Sequence, residues 1–211
     1  MTATPAMKNL RVVIADDDGL TLMVLRKILT GMGHEVAGEA GDGEEAVAIV
    51  KSTNPDLCIF DIRMPKLEGL AAARQVQQYR AIPVIILSAH TEAGLGSEAA
   101  GAGAHAYLVK PFTAGQLKPA IELALANFEK SQALEEKLHQ ANEALESRKI
   151  IERAKGILMR QTNLDEEAAY LRLQKTARNE NRKLVEVARA IILAEQTRRD
   201  DEPRSTSHYR R

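Results

Sequence analysis

Four segments carry side chains whose types and order suit phosphoryl chemistry: Asp16-Asp17-Asp18 after LRVVIA, Asp61 in LCIFDI, Ser88 in PVIILSA and Lys110 after AYLV. Carboxylates converging at one place repel each other unless a cation sits among them. Hard oxygen donors with room for several waters suit Mg²⁺. Such an ion also neutralises charge on a phosphoryl group in transfer, while a lysine and a hydroxyl opposite hold the phosphoryl oxygens. Taken singly, an Asp run is more often a turn or helix cap, and a Lys before Pro is an ordinary surface residue. Their shared place, each at the end of an apolar run, carries the reading.

Those runs must be strands of one sheet for the residues to meet. The expected strands are 10–15, 35–40, 57–62, 83–89 and 106–109. Helical patterns lie between them at 19–32, 43–52, 68–78 and 92–102, and a last one opens near Thr113. Alternation of this kind predicts a parallel sheet covered on both faces, with polar chemistry gathered at the carboxyl ends of the strands. The stretch 92–102 holds Gly94, Gly96 and Gly101, with Gly103 just after it. At nearly 1 kcal/mol each relative to Ala inside a helix, glycines predict a weakened element there.

From Ala114 onward no strand pattern recurs, and one long helix is allowed. Leu134, Leu138, Ala141 and Leu145 follow 4-3-4 spacing, the seam of a short coiled coil. Residues 148–196 read as three short helices. The first ends near Gln161, Asn163 or Asp165 caps the second, and the third begins around Asn181. Their apolar faces are Ile151, Ala154, Ile157 and Leu158; then Ala168, Leu171 and Leu173; then Leu184, Val187, Ala188, Ile191 and Ile192. Gly156 within the first predicts a close approach of another backbone. The expected organisation is a flexible start at 1–7, an α/β domain at 8–126, a helical coiled-coil linker at 127–147, an all-α three-helix bundle at 148–196 and a disordered tail at 197–211.

Composition narrows the classes. Three Phe, four Tyr and no Trp in 211 residues argue against a base-stacking sheet. The single Cys58 rules out an internal disulfide and speaks against a cysteine-based zinc site. No run reaches the roughly 20 apolar residues of a membrane span, and MTATPAMKNLR lacks a signal-peptide core, so a cytoplasmic protein with no membrane partner is expected. The zero net charge hides an asymmetry: residues 1–125 carry −3 and residues 148–199 carry +6. A control module followed by a module for a polyanion fits that split.

IADDDG, IFDIRMPKLEG, IILSAH and AYLVKPF resemble the signature segments of response-regulator receiver domains. The resemblance implies a flavodoxin-like, five-stranded doubly wound fold. It makes Asp61 the phosphoacceptor, with Mg²⁺ held by Asp16, Asp17, Asp61 and the backbone carbonyl of Arg63. Lys110 would pair with the acyl phosphate, Ser88 would bond it, and Tyr107 would swing inward with Ser88. Lys110-Pro111 would be a cis bond. Arg63 and His90 would line the pocket entrance.

IIERAKGILMRQTNLDEEAAYLRLQKTARNENRKLVEVARAIILAE resembles the ANTAR domain, an RNA-binding output module of antitermination regulators. The resemblance implies binding to tandem stem-loops in nascent transcripts. Ala154, Lys155 and Gly156 match its shared core. Arg153, Lys155, Gly156, Arg160, Tyr170, Arg172, Lys175, Arg178 and Arg182 are the expected RNA residues, and Gln174 stands where relatives carry a basic side chain. Receiver, helical linker and ANTAR in that order resemble phosphorylation-dependent antitermination regulators of actinobacteria. The implied partners are a sensor histidine kinase, RNA and a second copy through the coiled coil or the bundle. Rival readings are a DNA-binding response regulator and a protein-binding adaptor. An enzyme is not expected, since Asp61 would at most accept and lose a phosphoryl group.

Overall fold

Val12, Val13, Ile14 and Ala15 are all fully buried, so the first strand is covered on both faces, as its unbroken apolar run requires. The computed structural model describes residues 9–89 and 101–201, with side chains to residue 198. The chain divides into two compact units, up to Ala133 and from Leu134.

The first unit contains β1 (Arg11–Ala15), α1 (Gly19–Gly31), β2 (Glu35–Ala40), α2 (Gly43–Thr53), β3 (Leu57–Asp61), α3 (Gly69–Tyr79), β4 (Val84–Ser88) and β5 (Ala106–Val109). Its five strands form one parallel sheet in the order β2-β1-β3-β4-β5. β2 and β5 have the expected bounds, and β1, β3 and β4 are one or two residues shorter. The expected helix at 92–102 falls mostly outside the described residues, as does His90.

Strand alternation sorts the core into two layers. Val13, Cys58, Phe60 and Ile86 pack towards α2 and α3, through Val47, Val50, Ala72 and Val76. Ile14, Leu57, Ile59 and Leu87 pack on the other face with Leu25 and Leu29 of α1. Leu117 and Ile121 complete that layer from the start of α4 (Ala114–Thr162). Cys58 is fully buried, and burial pushes its thiol far above the usual range, so it stays a protonated core residue. Asp18 and Asp42 cap α1 and α2 by accepting backbone N–H groups, Leu20 and Thr21 in one case and Glu45 in the other.

α4 is one unbroken helix of 49 residues, so the rod and the first helix of the bundle are continuous. The second unit adds α5 (Glu166–Asn179) and α6 (Leu184–Asp201). Asp165 caps α5, its Oδ1 accepting the Ala168 N–H at 2.7 Å, while Asn163 takes a left-handed turn at φ 51°. Three expectations need correction. Of the expected face Ala168, Leu171 and Leu173, only Leu173 is fully buried: α5 buries the 4-4 stripe Ala169, Leu173 and Ala177, which leaves Ala168 half-buried and Leu171 56% exposed. Residues 197–201 are helical rather than part of a disordered tail. Arg198 pairs with Glu195 one turn back at 3.1 Å, and Thr197 donates to the Leu193 carbonyl. The third helix begins at Leu184, three residues later than expected, after a left-handed Asn181.

Candidate functional site

The carboxyl ends of β1, β3 and β5 bring Asp16, Asp61 and Lys110 together. Lys110 Nζ lies 2.6 Å from Asp16 Oδ2 and 2.5 Å from Asp61 Oδ1. Asp16 is fully buried and Asp61 nearly so, whereas Asp17 is exposed. Burial raises the Asp16 carboxyl above its ordinary value, and the bonds to Lys110 restrain that rise. Burial also works against charge on Lys110, but the two carboxylates outweigh it and raise the ammonium. Two buried carboxylates sharing one cation leave the pocket dependent on positive charge.

Backbone geometry places each group. The Asp16 N–H donates to the Ala40 carbonyl of β2 at 3.1 Å, and Asp16 Oδ1 accepts the Asp18 N–H. Asp61 Oδ2 accepts the Arg63 N–H at 2.7 Å, which turns the chain immediately after β3. Gly69 lets the returning chain pass close by: a Cβ there would lie 1.8 Å from the Asp61 carbonyl oxygen. Ser88 is buried at the end of β4, and its carbonyl accepts the Lys110 N–H at 2.7 Å. The Lys110-Pro111 bond is cis. Tyr107 stands on β5 with its side chain 56% exposed. The strand ends thus bring Asp16, Asp61 and Lys110 into contact, with Ser88 joined to Lys110 through its backbone carbonyl, Arg63 joined to Asp61 through its N–H, and Asp17 exposed next to Asp16.

The donor chemistry fits Mg²⁺. Two carboxylates, at most three with Asp17, and a carbonyl supply hard oxygens and leave room for water, as that ion requires. Among the described residues no three carboxylate, imidazole or thiolate side chains converge into a ready-made cage. Lys110 instead supplies the positive charge between the two buried carboxylates.

The second unit distributes its basic residues unevenly. Lys155 is 7% exposed, its ammonium held by Glu166 Oε1 at 2.7 Å and by Glu152 Oε2 at 2.9 Å. Hydrogen bonds to both carboxylates raise it, that to Glu166 most. It ties α4 to the start of α5, and a phosphate contact would require it to leave both partners. The Glu152–Lys155 spacing of three was legible in the sequence. Glu166, across the joint, had no such signal.

A Cβ on Gly156 would meet only the guanidinium of Arg160, at 3.6 Å, so no backbone approaches there and that expectation fails. Arg153, Arg160, Tyr170, Arg172, Lys175 and Arg178 are exposed. Leu171, Lys175 and Arg178 follow i, i+4, i+7 along one exposed stripe of α5, and Arg182 lies beyond the helix end, after the left-handed Asn181. Arg182 is engaged by Glu180 at 2.9 Å.

Comparison with known proteins agrees with both halves. The response regulator receiver domain family matches residues 12–122, and the ANTAR domain family matches residues 139–192. The chain is 41% identical over 182 residues to the transcriptional regulatory protein PdtaR of Mycobacterium tuberculosis, a match covering 86% of this chain and 89% of that one. The signal receiver domain of NarL from Mycobacterium tuberculosis superimposes with a TM-score of 0.51 at 33% identity, over 55% of this chain and 96% of that one. A chain of the CheX–CheY–BeF₃–Mg²⁺ complex from Borrelia burgdorferi matches with a TM-score of 0.51 at 31% identity, over 53% of this chain and 85% of that one. With a receiver domain followed by an ANTAR domain over most of its length, this chain belongs to the ANTAR response regulators.

Proposed function

We propose that the protein is a phosphorylation-controlled RNA-binding regulator that promotes transcription antitermination. The observation that carries this is the presence in one chain of the Lys110-bridged Asp16–Asp61 pocket and an ANTAR unit with an exposed basic stripe. A sensor histidine kinase transfers its phosphoryl group to a carboxylate oxygen of Asp61; the P–N bond to the kinase histidine breaks and a P–O bond forms. Asp16, Asp17, Asp61 and the Arg63 carbonyl would hold Mg²⁺, which neutralises charge on the phosphoryl oxygens. Lys110 then exchanges its bond to Asp61 for one to the phosphoryl group, and the Ser88 hydroxyl donates to another of its oxygens. Tyr107, exposed on β5, is free to move inward with Ser88. Phosphorylation works only by favouring one of two arrangements of the chain, as any such switch must.

Output is RNA binding by exposed cations of the second unit, with Lys175 and Arg178 at its centre. Leu134, Leu138 and Leu145 are 66%, 61% and 54% exposed within a single chain, which supports a second copy covering the seam. Among the described residues no helix is long and apolar enough to cross a membrane, and the proposed site of action is nascent RNA in the cytoplasm. The proposed chemistry at Asp61 is phosphoryl acceptance followed by self-dephosphorylation. The test is a gel-shift titration of a tandem stem-loop RNA, a scrambled RNA and a DNA duplex at fixed salt, with and without a small phosphodonor and Mg²⁺. Stem-loop preference that strengthens with the donor supports the reading. Equal weak binding to all three overturns it.

A further inference from the structure

A groove of about 500 Å³ lies between the last part of α4 and α6. Ile150, Ile192 and Leu193 give it an apolar lining; the first two are half-buried and Leu193 is 62% exposed. Arg153 from α4 and Arg189 from α6 border it, and among the described residues neither is ion-paired. Lys149 adds a third cation, shared with Glu146 at 2.7 Å, and Gln196 adds an amide that can both donate and accept. Its volume falls within the roughly 300–1,000 Å³ of small-molecule sites.

We propose that this groove takes one unpaired nucleobase of an RNA loop, with the flanking phosphates on Arg153, Arg189 and Lys149; the proposal rests on the RNA-binding function above. Phosphates alone would need cations but no apolar lining. An apolar ligand or partner helix would need the lining but no unpaired guanidiniums. A loop nucleotide presents both chemistries on one small unit. Loop bases are unstacked and accessible, unlike those within a duplex, and in a groove lined by no aromatic residue the planar guanidiniums are the stacking partners. Gln196 can read a base edge. A second copy fits less well: Glu146 also lines the groove and neutralises Lys149, but two-fold pairing would still bring the unpaired Arg153 and Arg189 of each chain against one another.

The test is selection of RNA from a hairpin pool with a randomised loop, using the full chain and Arg153→Ala/Arg189→Ala beside it. Both positions are exposed, so the double variant keeps its helical circular dichroism. The wild type is expected to enrich one base at a loop position. In the double variant that preference flattens, and affinity for the selected hairpin falls on the order of tenfold, as for loss of one stacked base. Lys175→Ala, outside the groove, should weaken binding while keeping the preferred base. Unchanged loop preference in the double variant overturns the groove proposal and leaves RNA binding standing. A wild type that enriches no hairpin overturns both. A double variant that changes oligomeric state but not loop preference makes the groove an interface between copies and overturns its role as a base pocket.

Discussion

Lys66 Nζ lies 2.6 Å from Asp42 Oδ2, joining the loop after β3 to the start of α2. The other Asp42 oxygen accepts the Glu45 N–H at 2.9 Å and caps that helix. Lys66 holds a left-handed backbone, φ 60°, at the centre of a three-residue turn closed by the Leu67 N–H to the Pro65 carbonyl at 2.6 Å. Such turns are rare and strained for a residue with a Cβ. A Cβ on Gly43 would lie 2.0 Å from the Leu67 carbonyl oxygen, so the helix start and the loop are also in close contact.

The pair is expected to hold the loop that follows Asp61 and carries the Arg63 carbonyl. Lys66→Ala removes the pair but keeps the backbone strain; Lys66→Gly removes both. Mg²⁺ binding followed by calorimetry, without phosphodonor, should weaken several-fold in the alanine variant and less in the glycine variant. Equal binding in all three proteins would exclude a positioning role for Lys66.

At the pocket itself, Asp61→Asn should abolish labelling by a Mg²⁺-dependent phosphodonor while the thermal melt stays cooperative. Label retained on that variant would move the acceptor elsewhere. Lys110→Ala should leave Asp16 buried without its cation. Removing one member of a buried pair costs on the order of 3–5 kcal/mol, so a lowered melting temperature is expected together with slower labelling. Added Mg²⁺ should restore part of that loss, because it supplies the missing positive charge.

The Lys155–Glu166 pair makes stability depend on acid. Its hydrogen bond to Lys155 lowers the Glu166 carboxyl below its ordinary value of 4.5. A carboxyl lowered by folding stabilises above its unfolded value, and that contribution is lost as pH falls through the folded value. Melts of the full chain between neutral pH and pH 3 should therefore show a destabilisation that Glu166→Gln reduces. Identical acid profiles for the two proteins would remove this pair from the account. Lys155→Ala should lower the melting temperature, and any loss of RNA affinity should come without a change in salt slope, since its ammonium is engaged within the protein.

The leucine seam gives a fourth outcome. Leu134→Glu/Leu138→Glu/Leu145→Glu should leave the helix content of the full chain nearly unchanged, because these side chains are exposed. Sedimentation should show the wild type self-associating, more strongly with phosphodonor, and the triple variant as a monomer. A monomeric wild type under both conditions would show that the seam is a solvated helix face.

Short-range pattern alone was enough to determine a parallel sheet, its strand limits within two residues and the placing of Asp16, Asp61, Ser88 and Lys110 at strand ends. Those features follow from alternation, unbroken apolar runs and strand ends, all written in consecutive residues. The flavodoxin-like arrangement of the strands followed from the receiver resemblance. The long helix was legible from the lack of Gly and Pro between Pro119 and Gly156, and the Asp165 cap from residue type. Tertiary structure alone decided which face of α5 is buried. The expected face Ala168, Leu171 and Leu173 competes with Ala169, Leu173 and Ala177 on one short helix, and packing against α4 and α6 selects the second set, with Leu173 common to both. It also decided the state of Lys155, since a basic residue in a basic helix reads as a surface contact until Glu166 is brought 2.7 Å from it across a turn. The Lys66–Asp42 pair and the α4–α6 groove belong to the same class. Each joins residues far apart in the chain, and no local spacing encodes a contact that only folding makes.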